Sequence, residues 1–223
     1  MKITIIIPAK DEEETIGRIV ESVLPFGDRV LVIDGHSRDA TRERAVAAGA
    51  EVVLDNGRGK GDAYKVGIQE AGRDGIMVFM DADGSHEPKD IPKLIEPIVQ
   101  DRADMVVATR LKAGSDDVDS SFSCFIRNIG GNFITVLVCL RFGLKITDVL
   151  NGFRSLRAEP ASRLNLRADD FDVEHEMIMK AAKLGWRITE TPSHEYARAG
   201  GHSKLPTYSK FYIFFWRFLV NLF

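Results

Sequence analysis

Apolar and polar positions along this chain fall into blocks that alternate between strand and helix. Ile3 to Ile7 is an unbroken apolar run ended by Pro8, as in a strand covered on both faces, and Pro8-Ala9-Lys10-Asp11 reads as the loop leaving it. From Glu12 to Leu24 the apolar residues recur at Ile16, Ile19, Val20, Val23 and Leu24, a helical stripe with acidic residues in its first turn. Arg29 to Ile33 reads as the second strand, Arg38 to Ala48 as a helix with Gly49 as its C-cap, and Glu51 to Leu54 as the third strand. A basic, glycine-rich loop from Asp55 to Gly61 precedes a helix from Asp62 to Ala71 and a buried strand from Ile76 to Met80. A helix over Ile91 to Val99 and a strand over Met105 to Thr109 complete five β–helix alternations. That order predicts an α/β fold, a mostly parallel sheet with helices on both faces.

The pattern changes after Arg110. Lys112 to Ser123 is polar and rich in Gly, Ser and Asp, which reads as a loop. Phe125 to Leu144 reads as a long helix containing Gly130 and Gly131, and Asp148 to Arg154 (DVLNGFR) as a tight loop entering a strand. Phe171 to Leu184 reads as a helix with Glu174 and Glu176 beside its apolar face, Ile188 to Pro192 as a strand, and Arg198 to Lys204 as a second glycine-rich basic loop. Residues 1–205 are expected to form one domain and 206–223 a C-terminal aromatic amphipathic helix. That tail holds eight of the nineteen aromatic residues and is interrupted by Arg217, so it is too short and too charged for a membrane span. It can lie in a membrane interface, pack on its own domain or a second subunit, or begin a longer membrane region.

The buried run Ile76 to Met80 ends in Asp81-Ala82-Asp83-Gly84-Ser85-His86. Open α/β sheets bind ligands at the C-terminal ends of their strands. Side chains two residues apart on an extended tip point the same way, so two carboxylates there can converge on one hard cation whose shell is completed by phosphates and water. An acidic turn is the plain alternative. With 44% hydrophobic and 28% charged residues the chain is a folded soluble protein, and a net charge of −3 speaks against a general nucleic-acid binder. Cys124 and Cys139 have no metal or CxxC spacing and read as reduced thiols. The N-terminal apolar run is too short for a signal peptide, which places the chain in the cytoplasm.

Eight segments in order (IIIPAKDEEETI, VLVIDGHSRDAT, GKGDAYKVGIQEA, VFMDADGSHEP, VVATR, DVLNGFR, EHEMIMKAAKLGWRITETP and RAGGHSK) resemble the family 2 glycosyltransferases of the GT-A fold, and among them the dolichyl-phosphate mannose synthases. The resemblance implies a nucleotide-sugar donor and a divalent metal, Mg²⁺ or Mn²⁺. It matches Pro8, Ala9 and Glu12 to the first nucleotide-binding loop, Asp34 to an acid on the base or ribose, and Lys60 and Gly61 to the loop over the nucleotide. Asp81, Ala82 and Asp83 match the DxD motif, with Asp81 and Asp83 as metal ligands and Asp83 the principal one. Arg110, Arg127, Arg198 and Lys204 match basic positions around the donor diphosphate and the acceptor phosphate, where guanidinium forks suit phosphate oxygens. Asp83, Arg110 and Arg127 are the expected catalytic set. The chain departs from the family at Ser85, where a Gln is common, at Gly131, where a small hydroxyl residue is expected, and at Asn151, which replaces a Ser.

The implied reaction is an inverting transfer of a sugar, first mannose from GDP-mannose and second glucose from UDP-glucose, onto a polyprenyl (dolichyl) phosphate. An anionic acceptor needs positioning more than deprotonation, in keeping with the lack of an obvious general base. The expected place of action is the cytoplasmic face of a membrane. A non-lipid acceptor, a haloacid dehalogenase-type phosphatase using Asp81 as nucleophile and Asp83 as acid, and a non-catalytic nucleotide-sugar-binding module remain as other readings.

Overall fold

The computed structural model describes residues 1–111, 113–116, 122–200 and 211–222, with the backbone alone for residues 122–129 and 211–212. Among the described residues, seven strands form one sheet: β1 (Ile3–Ala9), β2 (Arg29–Asp34), β3 (Glu51–Leu54), β4 (Ile76–Phe79), β5 (Met105–Thr109), β6 (Arg154–Arg157) and β7 (Ile188–Pro192). Eight α-helices accompany them among the same residues: α1 (Ile16–Val23), α2 (Thr41–Ala47), α3 (Lys60–Ala71), α4 (Ile91–Val99), α5 (Phe122–Phe142), α6 (Ala158–Ala161), α7 (Val173–Lys183) and α8 (Phe211–Val220). The strand order is β3-β2-β1-β4-β6-β5-β7. All neighbours run parallel except β6, which is antiparallel to both β4 and β5. The predicted α/β sheet is therefore present, with one reversed strand inserted between β4 and β5.

Alternation along the strands sorts the core into two layers. Ile5, Ile7, Val30, Val32, Ile76 and Val78 pack under α1, α2 and α4. Ile6, Leu31, Ile33, Met77, Phe79 and Val107 pack under α3, α5, α7 and α8. β1 runs through Pro8 to Ala9 instead of stopping at Pro8, because β2 extends in register to Asp34 and pairs it with Ala9. α1 starts at Ile16, not Glu12. The backbone N–H groups of Asp11, Glu12 and Glu13 are taken by Ser37 Oγ, Thr41 Oγ1 and Asp39 Oδ2, so this stretch is held as a loop against the segment after β2. α3 starts earlier than predicted, at Lys60, because the N–H groups of Gly61 and Asp62 find the Asp169 carbonyl at 3.0 and 3.4 Å.

The tail helix α8 is part of this core. Phe218 is buried, Phe214 stacks on His175 of α7 with ring centroids 5.4 Å apart, and Arg217 pairs with Asp172 and Glu176. Its opposite face leaves Phe215, Trp216, Leu219 and Val220 exposed. Packing on its own domain thus accounts for one side of this helix. Among the described residues no helix is long and apolar enough to cross a membrane.

Candidate functional site

A cavity of about 460 Å³ opens at the C-terminal ends of β1, β2, β3 and β4. Pro8, Ala9, Glu12, Lys60, Asp81, Ala82, Asp83 and Arg198, eight of the residues the sequence points to, line it. Gly61 stands just behind Lys60. Asp34 is fully buried at the rim, where Gly35 takes the lining position. One Asp34 oxygen accepts the Ser37 N–H at 3.0 Å, and the other has no hydrogen-bond partner among the described residues.

The first carboxylate of the DxD pair is held from two sides. Lys60 Nζ lies 2.7 Å from Asp81 Oδ1 and 2.8 Å from Glu174 Oε1, so it bridges two acids, and His86 Nε2 is 3.6 Å from Asp81 Oδ2. Burial pushes the Asp81 carboxyl up, but the Lys60 charge and His86 outweigh it and hold Asp81 far below the usual carboxylate range. Burial works to lower Lys60, yet Asp81 and Glu174 keep it well above an ordinary lysine. Glu174 is raised by burial, which Lys60 and Arg154 only partly offset. His86 is buried and stacks on Phe153 at 5.1 Å, which sets its edge toward Asp81.

The second carboxylate, Asp83, accepts the Ser85 N–H on Oδ1 at 3.0 Å, and its Oδ2 is 3.0 Å from Arg198 NH1. Arg198 arrives on a segment docked by backbone bonds, Tyr196 N–H to the Ser85 carbonyl at 2.8 Å and Ala199 N–H to the Asp83 carbonyl at 3.0 Å. Ser85 serves the turn with its backbone and does not line the cavity.

The DVLNGFR segment buttresses the pair. Asn151 Oδ1 accepts the Phe153 N–H at 2.8 Å, closing the turn. A Cβ on Gly152 would come within 2.8 Å of Asp81 Oδ2, so any other residue here would have to displace the carboxylate that Lys60 holds. Arg154 is wholly buried and donates to the carbonyls of Val149, Asn151 and Glu174, pinning the loop to α7.

Other predicted residues lie apart. Arg110 is engaged by Asp148 at 2.6 Å and Glu195 at 3.3 Å and does not line the cavity. The side chain of Arg127 and the whole of Lys204 lie outside the described residues. Cys139 is a free thiol raised by burial, and the side chain of Cys124 is outside the described set. The sequence reading did not anticipate Asp170 and Phe171, which line the cavity, or Glu174 behind Lys60. The acidic and aromatic run Asp169-Asp170-Phe171-Asp172 before a helix was the available signal.

A divalent cation can be tested against this donor set. Five carboxylates (Glu12, Asp55, Asp81, Asp83 and Asp170) face four cations (Lys10, Arg58, Lys60 and Arg198), so the cavity is formally acidic although a diphosphate would add more negative charge. Among the described residues no three His, Cys, Asp or Glu side chains surround one point. That combination fits a hard ion bound by one or two carboxylates and completed by diphosphate oxygens and water, and does not fit a closed protein cage.

The family model for glycosyl transferase family 2 matches residues 4–160. Glycosyltransferase AglJ of Haloferax volcanii is 31% identical over 200 residues, which is 89% of this chain and 64% of that protein, so the chain spans just under two thirds of this relative. An undecaprenyl-phosphate mannosyltransferase of Micrococcus luteus is 33% identical over 92% of this chain and 88% of its own length. A UDP-N-acetylglucosamine–dolichyl-phosphate N-acetylglucosaminyltransferase of Methanococcus voltae is 29% identical, covering 94% and 93%. Among solved structures, glucosyl-3-phosphoglycerate synthase from Mycobacterium tuberculosis, in complex with Mn²⁺, UDP and glucosyl-3-phosphoglycerate, superposes with a TM-score of 0.78 at 22% identity over 99% of this chain and 80% of that one. That likeness establishes a shared fold.

Proposed function

The chain belongs to glycosyl transferase family 2, and from that premise we propose that it is an inverting, divalent-metal-dependent enzyme that transfers a hexose from a nucleoside diphosphate to a polyprenyl phosphate. The carrying observation is the cavity itself, in which two acids at the tip of β4 are held by Lys60 and Arg198 and face glycine-rich backbone. Two relatives named for transfer to undecaprenyl or dolichyl phosphate, aligned over more than nine tenths of the chain, support the lipid phosphate acceptor. Mannose from GDP-mannose is the first donor to test and glucose from UDP-glucose the second. N-acetylglucosamine from UDP follows from the methanococcal relative.

Asp83, with Asp81 beside it, would hold the ion, which supplies Lewis-acid stabilisation of the charge developing on the departing diphosphate. Arg198 reaches the cavity on a half-exposed side chain and can turn its fork from Asp83 to diphosphate oxygens. Lys60, fixed between two acids, keeps Asp81 ionised and oriented. The acceptor phosphate oxygen forms its bond to the anomeric carbon as the bond from that carbon to the diphosphate breaks. The electron pair leaves with the diphosphate and configuration inverts. The acceptor is already an anion, so no protein base has to remove a proton.

A lipid acceptor requires approach to a membrane. Phe133, Val136 and Leu140 on α5 and Phe215, Trp216, Leu219 and Val220 on α8 expose apolar side chains on two helices that pack together. Full burial of one such side chain contributes about 1.5–3 kcal/mol, so a few suffice for peripheral attachment at the cytoplasmic face.

The test is transfer of radiolabel from GDP-mannose, UDP-glucose and UDP-N-acetylglucosamine with Mg²⁺ or Mn²⁺, each with and without polyprenyl phosphate in detergent. Label entering the organic phase with one donor establishes the reaction and its sugar. Binding of one nucleotide sugar without a lipid product keeps the donor half and overturns the acceptor.

A further inference from the structure

Helix α7 works on two fronts. From its first turn Glu174 reaches Lys60 at 2.8 Å, and Lys60 holds Asp81. From the same end, Asp172 and Glu176 reach the opposite way, to Arg217 of α8, at 2.6 Å to Nε and 3.3 Å to NH1. The two acids are almost completely buried and the arginine side chain is 16% exposed, so this is an interior ion cluster, not a surface pair.

Glu176 does more than pair with arginine. Its Oε2 accepts the backbone N–H groups of Arg167 and Ala168 at 2.9 and 2.7 Å, while Lys180 and Arg217 share its Oε1. The segment it fixes runs directly into the cavity. The Asp169 carbonyl receives the Gly61 N–H at 3.0 Å at the start of α3, and Asp170 and Phe171 line the cavity wall. Polar contacts together with the α7 backbone thus link α8 to both sides of Lys60, through Glu174 on α7 and through residues 167–171.

We infer that Arg217 is a positioning residue for the donor cavity, and that the C-terminal helix is a structural part of the nucleotide-sugar site as well as a surface appendage. With Arg217 present, Asp172 and Glu176 are neutralised in place, and the segment 167–171 is held where Gly61 and Lys60 need it. Without it, two buried acids at the start of α7 lose a shared counter-charge, and the least costly response is to move that end of α7 toward water. The movement is transmitted to Lys60 and Phe171. The expected defect is in donor binding, because Arg217 touches neither the cavity nor the reacting atoms.

This inference rests on the donor-cavity reading. The test is calorimetric titration of the full chain with UDP and with GDP, each with Mn²⁺, for the wild type, Arg217→Ala, Arg217→Lys and Asp172→Asn, alongside donor KM and kcat. The wild type binds one nucleotide. Arg217→Ala is expected to weaken that binding about tenfold and to raise donor KM by a like factor, with kcat changed less than threefold. Arg217→Lys, which keeps one ion pair, and Asp172→Asn, which removes one carboxylate and keeps its shape, fall between. Wild-type affinity in Arg217→Ala, or in both milder variants if the alanine protein does not fold, overturns the inference. A wild type that binds neither nucleotide overturns the donor-cavity reading and the inference with it.

Discussion

Replacing Gly61 with alanine adds one methyl group at the most crowded point beneath the cavity. The new Cβ would lie 2.4 Å from the Ala168 carbonyl oxygen and 2.8 Å from the carbonyl carbons of Ala168 and Asp169. All three are backbone atoms, so no side chain can swing away. Reaching even a 3.0 Å separation requires about 0.6 Å of displacement between α3 and the segment that carries Asp170 and Phe171. Two effects on stability oppose each other. Alanine is favoured over glycine in a helix by about 1 kcal/mol, whereas forced overpacking costs about 1–3 kcal/mol, so the net loss is about 0–2 kcal/mol. The effect on function is larger. Lys60 and Phe171 sit on the two surfaces that are pushed apart, and a misplacement near 1 Å costs on the order of 10²-fold in rate. Steady-state kinetics over donor concentration, with a thermal melt on the same samples, separates the two. The expected result is kcat/KM down by on the order of 10²-fold with only a small shift in Tm. Gly17→Ala on α1, where a Cβ would find only the Arg44 carbonyl at 3.9 Å, is the control and should leave donor kinetics unchanged. If Gly61→Ala kept kcat/KM within threefold of wild type, close backbone approach at this point would not be what shapes the proposed donor site.

Asp83→Ala removes the carboxylate proposed as principal metal ligand and should lower kcat/KM on the order of 10³-fold while leaving the far-ultraviolet circular dichroism unchanged; retained Mn²⁺ binding in that variant, followed by electron paramagnetic resonance, would move the ligand role elsewhere. His175, pushed down to about 3 by burial, must stay neutral in the folded chain but gains a proton near pH 6.5 when unfolded. Its contribution to stability is therefore complete above pH 6.5 and is lost as pH falls toward 3, at up to about 1.4 kcal/mol per pH unit. Denaturant melts of wild type and His175→Gln between pH 7 and 5 should differ in slope, and parallel curves would contradict the burial account. Arg154→Lys cannot reproduce a fork that reaches three carbonyls, and should cost about 2 kcal/mol or more by urea denaturation, because buried acceptors lose their donor.

Much of the fold was legible in the chain because its signals are local. β1, β2, β4 and β5 are largely apolar runs bounded by turn residues, and the DxD acids follow from where the β4 run stops. The reversed direction of β6 left no such mark. Four residues of strand pattern look the same in either direction, and only the partners supplied by β4 and β5 decide it. The cavity lining was readable where glycine and acid motifs carry it, from Pro8 through Asp83. Glu174 was visible only as an acid on a helix face. Its role comes from Lys60, more than a hundred residues earlier, and no spacing rule predicts that contact. Arg110 shows the opposite case, since the family resemblance matched it to a position beside phosphate, while in the structure Asp148 and Glu195 engage it. The tail read as an aromatic patch because composition does not disclose that Arg217 turns inward to two buried acids.

The insertion of β6 between β4 and β5 also sets an order of assembly. The strands β3, β2, β1 and β4 are all encoded before residue 80, and each finds a neighbour within that span. β5 has no such neighbour, because both strands that flank it, β6 and β7, come later in the chain. During synthesis β4 therefore presents an open edge, and β5 stays unpaired, until Arg154–Arg157 has emerged. Long-range pairing of this kind is slow, since the excursion from residue 110 to 153 must close before any ladder bond rewards it. Arg154 then locks the arrangement at its first residue, gathering carbonyls from the excursion and from α7. The half of the sheet that carries the β4 acids can form early, but the buttress that holds Asp81 in place is among the last parts to arrive.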